Sequence, residues 1–440
     1  MDISARGLAY QLLKSADGAS TYSNIAIDNA LKKNALSESD KGLLTVIVMG
    51  VTERRLTLDY IIDRFASAPE KIDAPTRVLL RMGIYQMVFL DKIPEYAAIN
   101  ETVELAPRRS RGFVNAILRS VQRSKHREGI ESLFPSQKDG EAEYLSVKHS
   151  MPKDVCARFV EIYGAERTER IFDMFNKPPR MTLRINTQKI SREQYAKLLD
   201  EKGICYRLSE KLDNALLLDN VSFPSLPGFD EGWFFVQDEA SQLCVEVLDA
   251  HAGERVIDCC SCPGSKSFGL AINMDNKGEI YSFDLHKSKL SLIEKSAERL
   301  GIDIIKTGER DARKPDESLL GTADRVLCDV PCSGLGVMAK KPEIRYKDLS
   351  EFKRLPEIQY EILKSSARYV KVGGVLVYST CTVLPEENRQ NVTKFVSENP
   401  DFELTDFCVG KKESVGGMMS LAPDTDGTDG FFIAKMIRRA

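Results

Sequence analysis

No apolar stretch in this chain approaches the length of a membrane span. The longest, Gly42 to Val51, falls far short of the roughly 20 residues a span needs and reads as a core helix. The amino terminus lacks a secretory pattern: Asp2 is acidic where a positive segment would stand, and no apolar segment follows, so no leader is expected. Histidine is scarce, four in all, and the cysteines have no second Cys or His pair at ligand spacing, which argues against a bound metal. A clear Gly-x-Gly-x-x-Gly is missing, so a nicotinamide-dependent oxidoreductase is a poor fit. Internal repeats and low-complexity tracts are also absent. Charge of one sign does not dominate either: the formal net charge is -3, which says little about partners.

What is present is soluble globular composition, 42% hydrophobic and 29% charged, in a chain of 440 residues. That length is too great for one ordinary core, so two or three domains are expected. The ten cysteines cluster at strand ends rather than forming a spaced framework. Free thiols in a reducing cytoplasm are the expectation. Arg108, Arg109, Arg111, Arg119, Arg123, Lys125 and Arg127 occur with no acid among them. Such a run is usually a solvated helix face; its functional reading is a phosphate-binding patch.

Residues 1–125 read as a helical bundle, with apolar residues at helical spacing such as Leu44, Ile47, Val48 and Val51. Residues 126–151 lack periodicity and read as a linker with a short helix at most. Residues 152–230 read as two helices followed by a small α+β unit, Met181–Asn186 and Ala215–Leu218 being its strands. From 231 to 440 strands and helices alternate, which predicts a mostly parallel sheet covered on both faces. In that domain Trp233–Val236 reads as a first strand. Leu355 to Val370 reads as a helix that stops at Gly373–Gly374.

Three stretches carry chemistry. The segment Val326-Leu327-Cys328-Asp329-Val330-Pro331-Cys332-Ser333-Gly334 begins as a strand and breaks into a tight loop holding an acid and a thiol. Cys381 ends another strand, Val375–Thr380. Asp258-Cys259-Cys260-Ser261-Cys262-Pro263-Gly264-Ser265-Lys266 links a strand to a helix, where small residues admit a ligand close to the backbone. Asp284 at the next strand end suits ribose hydroxyls, and Asp311 after the third suits an adenine amino group. Each acid alone is at least as well explained as a helix cap, and each thiol alone as a small buried hydrophobe. Together they describe a nucleoside-bearing cofactor draped over strand ends beside two thiols. A thiolate next to a methyl donor suits alkylation of a pyrimidine at carbon 5, which reacts only after a nucleophile adds at carbon 6.

Asp329-Val330-Pro331-Cys332-Ser333-Gly334 and Ser379-Thr380-Cys381-Thr382, with Pro385-Glu386-Glu387-Asn388, resemble segments of the S-adenosylmethionine-dependent RNA cytosine-5 methyltransferases. Val236-Gln237-Asp238 and Gly427-Thr428-Asp429-Gly430-Phe431-Phe432 do so too. Residues 1–125 resemble a NusB-type RNA-binding bundle, through Ile93-Pro94, Asn100-Glu101 and Phe113–Arg119. The resemblance covers the whole chain and points to the bacterial small-subunit rRNA branch. It implies a NusB-like bundle, a ferredoxin-like RNA-binding unit and a Rossmann-like catalytic domain. It makes Cys381 the nucleophile, Cys332 the residue that helps release product and Asp329 the group that holds the cytosine. It gives Cys260, Ser261, Cys262, Pro263, Gly264, Ser265, Lys266, Asp284, Asp311 and Asp329 to S-adenosylmethionine.

The family's loop is usually Cys-Ala-Ala-Pro-Gly-Gly-Lys. Here Ser261, Cys262 and Ser265 replace Ala, Ala and Gly; all three are small, so binding is expected to be kept, with a cost in affinity if Ser265 puts its Cβ where the backbone needs positive φ. The expected partner is small-subunit rRNA, unassembled or partly assembled, with no membrane and no metal. Two rivals stand beside it: the same chemistry on tRNA or large-subunit rRNA, and a non-catalytic RNA-binding assembly factor.

Overall fold

The computed structural model describes residues 4–16, 23–136, 140–219 and 226–440. The chain divides into two compact units, Met1–Lys177 with Met338–Leu349, and Pro178–Val337 with Ser350–Ala440. No described helix is long and apolar enough to cross a membrane.

The first unit is helical: α1 (Ala5–Ala16), α2 (Ser23–Lys33), α3 (Glu38–Glu53), α4 (Arg55–Phe65), α5 (Ala74–Phe89), α6 (Glu95–Leu105) and α7 (Arg111–Glu128), followed by α8 (Glu141–His149), α9 (Lys153–Tyr163) and α10 (Ala165–Phe175). Helix α5 is central, buried from Val78 through Val88. Asp73 starts it by accepting the Thr76 N–H at 2.7 Å, an N-cap that satisfies one of the helix's free donors. Gly83 lets α7 approach closely: a Cβ there would lie 2.8 Å from the Leu118 methyls. The stretch 126–151, expected to be a linker with a short helix at most, carries the end of α7, a 3-10 turn at Ile130–Leu133 and the nine-residue α8. Leu133, Leu145 and Val147 are buried, but they are too sparse to give a periodic signal. The segment Met338–Leu349 belongs to this unit although its neighbours in sequence belong to the other.

In the second unit a four-stranded antiparallel sheet runs β2-β3-β1-β4, from β1 (Met181–Ile185), β2 (Tyr206–Leu208), β3 (Ala215–Leu218) and β4 (Phe234–Val236). Helix α11 (Arg192–Glu201) opens with a full capping box, Ser191 and Gln194. Strand β4, expected to begin the catalytic domain, pairs with β1 and closes the small sheet. Its alternation cannot say which sheet it joins; register does.

The large sheet runs β10-β14-β9-β8-β5-β6-β7, with β13 also paired to β14. Its strands are β5 (Arg255–Asp258), β6 (Glu279–Asp284), β7 (Ile305–Glu309), β8 (Ala323–Asp329), β9 (Val370–Thr380), β10 (Phe402–Leu404), β13 (Met418–Leu421) and β14 (Phe431–Arg438), while β11 (Cys408–Val409) and β12 (Lys412–Glu413) form a separate hairpin. Strands β5 to β9 are parallel and β14 is antiparallel to β9. Val256, Leu327 and Val377 pack into one core with α12 (Glu239–Leu248), α13 (Ser265–Asn273) and α14 (Lys287–Leu300). Their neighbours Ile257, Val326 and Leu376 pack into a second core with α15 (Leu355–Ala367) and α16 (Arg389–Glu398). This is period-2 alternation with both faces covered, as a parallel sheet requires.

Helix α15 ends at Ala367, and Gly373–Gly374 lie within β9 rather than capping the helix. The β8–β9 register shifts between Ala323 and Arg325, and Gly373 takes φ +81° in the bulged strand. The glycines serve a bulge, which sequence alone does not distinguish from a helix stop.

Candidate active site

Strand order reverses at β5 and β8, so the crevice outside their carboxyl ends is where an open α/β sheet binds ligands. Asp258 ends β5, Asp284 ends β6 and Asp329 ends β8. The structure thus brings the expected loop and these acids to one edge.

The loop after β5 is tightly held. Ser261 donates its N–H and hydroxyl to the Phe283 carbonyl, at 2.8 and 3.0 Å. Cys262 N donates to Asp284 Oδ2 at 3.3 Å, and His286 N to Asp284 Oδ1 at 3.0 Å. Pro263 follows Cys262 through a cis peptide bond. The positive φ, +105°, belongs to Gly264, where a Cβ would sit 2.6 Å from the Phe268 ring. Ser265 is the first residue of α13 and is absent from the described non-glycine residues of positive φ. The strain expected at Ser265 is therefore not there: the one left-handed position is already a glycine. The Cys260 thiol is pushed up by burial, and that of Cys262 up to about 12, again chiefly by burial.

Lys266 reaches across from α13 and donates to Asp329 Oδ2 at 2.6 Å, while Ser379 donates to Asp329 Oδ1 at 2.6 Å. Burial opposes the charge on Lys266, but Asp329 outweighs it and holds the ammonium on. Asp311 follows β7, and its carboxyl accepts from Arg313, through the N–H at 3.1 Å and a two-pronged guanidinium contact at 2.9 and 2.8 Å. It is placed at the right strand end but committed to a local turn.

Cys332 and Cys381 meet at 3.2 Å between sulfurs, at the ends of β8 and β9. The Cys332 thiol is pushed well up, first by its hydrogen bond with Cys381 and then by burial. Sequence reasoning placed Asp258 at the head of the loop but gave it no role. Its Oδ2 accepts the Ser267 hydroxyl at 2.6 Å, Ser267 accepts from Ser282 at 2.8 Å, and Oδ1 makes no hydrogen bond. Burial raises its carboxyl to about 7. The native state then keeps a proton that the unfolded chain releases above about pH 4. Stability from this group is full in acid and is lost as pH rises through about 7. Asp258→Asn should flatten that part of a urea-midpoint-versus-pH profile between about pH 4 and 7; an unchanged profile would show the group is ionised throughout.

The basic run is less bare than its sequence implies. Lys125 and His126 contact Glu95 at 2.9 and 2.8 Å, Arg109 contacts Asp73 at 3.8 Å, and Arg127 pairs with Glu128. Arg123 and Arg127, with Arg64, Phe65 and His126, line an open cavity of about 820 Å³ on the first unit.

The chain matches three family models in order: the NusB family over residues 3–123, the RsmF/B-like ferredoxin-like domain over 151–222, and the 16S rRNA methyltransferase RsmB/F over 245–437. It is 38% identical to the probable ribosomal RNA small subunit methyltransferase B of Bacillus subtilis, covering 99% of both chains. It is 33% identical to the ribosomal RNA small subunit methyltransferase B of Yersinia pestis, over 93% of each. Among solved structures, that of PH0851 superposes with a TM-score of 0.81 at 28% identity over the whole of both chains. A helical NusB domain, a ferredoxin-like sheet and a methyltransferase sheet with its loops at the switch point are thus found in one order in the matches and in the fold, and the chain belongs to the RsmB/F family of small-subunit rRNA methyltransferases.

Proposed function

We propose that this enzyme methylates carbon 5 of a cytosine in small-subunit rRNA, with S-adenosylmethionine as donor and a transient Cys381–carbon 6 bond. The observation that carries the reading is the 3.2 Å approach of Cys332 and Cys381 sulfurs beside Asp329. The cofactor residues fit: a glycine-held loop opens a helix, Asp258 offers a buried unpartnered oxygen and Asp284 ends the neighbouring strand. Cys260 to Lys266 with Asp284 would hold S-adenosylmethionine, Asp311 joining once Arg313 yields. When bound, that cofactor supplies an electrophilic methyl group.

Cys381 gives its proton to water and adds as a thiolate to carbon 6, which makes carbon 5 nucleophilic. Asp329, held by Lys266 and Ser379, is fixed to hydrogen-bond the ring's polar edge. After methyl transfer water takes the carbon 5 proton, the electron pair of that bond reforms the ring double bond, and the Cys381 sulfur leaves carbon 6 as a thiolate. Cys332 is protonated and within hydrogen-bond reach, so its S–H can stabilise the departing sulfur. The base must be out of a stack to lie between these groups, which favours a loop cytosine over one in a duplex. The Arg64–Arg123–Arg127 cavity supplies cations for RNA phosphate. A cytoplasmic location follows from this substrate.

The test is label transfer from S-adenosylmethionine to unmodified small-subunit rRNA, with tRNA in parallel, read as 5-methylcytosine after digestion. Label confined to small-subunit rRNA is expected. Label in tRNA alone would reassign the substrate, and label at any other atom would overturn the chemistry.

A further inference from the structure

The segment Pro385-Glu386-Glu387-Asn388 carries no role in the reaction above, yet two of its side chains are buried against both thiol loops. Glu387 is fully buried and Asn388 nearly so. Glu387 Oε2 accepts the Ser333 N–H at 2.9 Å, and Ser333 is the residue after Cys332. Glu387 Oε1 accepts from Thr382 Oγ1 at 3.4 Å, and Thr382 is the residue after Cys381. The Ser333 and Thr382 hydroxyls meet at 2.6 Å, closing a ring. Asn388 takes the other loop from both sides: its Oδ1 accepts from Thr380 at 2.5 Å, and its Nδ2 donates to the Thr382 carbonyl at 3.0 Å. Gln359 completes the set, donating to Glu387 Oε2 at 2.7 Å and to the Pro331 carbonyl at 3.0 Å.

We propose that Glu387 and Asn388 are positioning residues, a polar clamp that sets the separation of the Cys332 and Cys381 sulfurs. The Ser333 N–H, the Gln359 amide and the Thr382 hydroxyl that donate to the Glu387 carboxyl are all neutral groups. Burying an acid without a cation is costly and raises its pKa, and Ser333 and Gln359 offset only part of that. A core position of mere bulk would be met more cheaply by Leu or Met. What a carboxylate adds is acceptor capacity on two oxygens, one for each loop. Glutamine keeps only one of those acceptors: its NH₂ would have to donate to Thr382 Oγ1, which reverses that hydroxyl's bond and gives up the acceptor facing the Cys381 loop. The inference rests on the reading that both thiols meet the substrate base, for which an ångström of misplacement costs rate.

The test reads thiol separation without using the reaction. Diamide accepts two electrons and two protons from Cys332 and Cys381, becoming the hydrazine as the sulfur–sulfur bond forms. Peptide mapping then times that bond. In Glu387→Gln and Asn388→Ala bond formation should slow at least about tenfold, and methyl transfer should fall roughly a hundredfold in kcat. S-adenosylmethionine affinity should stay within about threefold, since the Glu387 and Asn388 side chains bond to Ser333, Gln359, Thr380 and Thr382 and not to the Cys260–Lys266 loop. Thr382→Val should follow these variants and Thr382→Ser should restore both rates, which keeps the test alive if a Glu387 variant does not fold. Bond formation and kcat within twofold of wild type would overturn the proposal. So would equal loss of cofactor affinity, because the damage would then be general. If wild type modifies no cytosine, the proposed reaction fails while the diamide rates still judge the clamp.

Discussion

Cys381→Ala is expected to lower methyl transfer roughly 10³-fold or more, since no other step makes carbon 5 of a cytosine nucleophilic. Cys332→Ala is expected to behave differently. Addition at carbon 6 and methylation proceed, but the Cys381 sulfur leaves without its 3.2 Å hydrogen-bonding neighbour. A covalent protein–RNA adduct should then accumulate and survive denaturing electrophoresis. In a mixture with labelled S-adenosylmethionine, the adduct should carry the label. The asymmetry follows from position as well as chemistry. Both thiols end strands, but Cys332 is held protonated by the hydrogen bond with Cys381, by burial and by the nearby acids Glu387 and Asp329. A group so placed is a poor nucleophile and a serviceable proton holder. An adduct trapped in Cys381→Ala instead would exchange the two roles. Full activity in Cys381→Ala would remove covalent catalysis by that thiol, and full activity in Cys332→Ala with no adduct would remove the release role of Cys332.

How far the sequence could be read depends on what kind of constraint fixed each part. Strand ends were legible because an apolar run followed by Asp-Val-Pro or Thr-Cys-Thr is a local signal. So was the cofactor loop, whose small residues and following helix state their own geometry. Register is not local. Strand β4 is the same three residues whichever sheet it joins, and only pairing with β1 assigns it. The glycines at 373–374 illustrate the same limit, because a helix stop and a strand bulge ask for the same residue. Ser265 shows a motif compared column by column misplacing the strain: the left-handed residue is Gly264, and the helix starts one residue later. Asp311 was found at its strand end, but its partner Arg313, two residues on, could be any basic residue's accident in sequence. Asp258 and Glu387 stood inside quoted motifs without a role of their own, because nothing in a sequence reports that a carboxylate will be buried.

The largest stability effect is expected at Arg345. The chain leaves the methyltransferase sheet's unit after Val337, contributes Met338–Leu349 to the helical unit and returns at Ser350. Such an excursion has little apolar surface of its own to hold it, since only Met338, Pro342 and Ile344 among its apolar residues are buried. Arg345 holds it by polar means. Its side chain is fully buried and donates to the Glu53 carbonyl at 3.2 Å, Asn176 Oδ1 at 2.9 Å, and the His149, Phe175 and Met338 carbonyls at 3.4 to 3.5 Å. Tyr346 adds a hydroxyl bond to the same Glu53 carbonyl at 2.7 Å and lies under Arg55 at 4.0 Å. Burial depresses the Arg345 pKa, and the nearby Glu53 carboxylate restores part of it. The guanidinium thus gathers the ends of α3, α8 and α10 onto one planar fork, a geometry that an ammonium cannot copy. Arg345→Met should leave those carbonyls buried and unmatched, costing about 3–5 kcal/mol in urea denaturation of the full chain. Arg345→Lys should recover less than half of that, because its point charge cannot serve acceptors in so many directions. Equal stability of the lysine variant and wild type would mean that the charge, and not the fork, holds the segment.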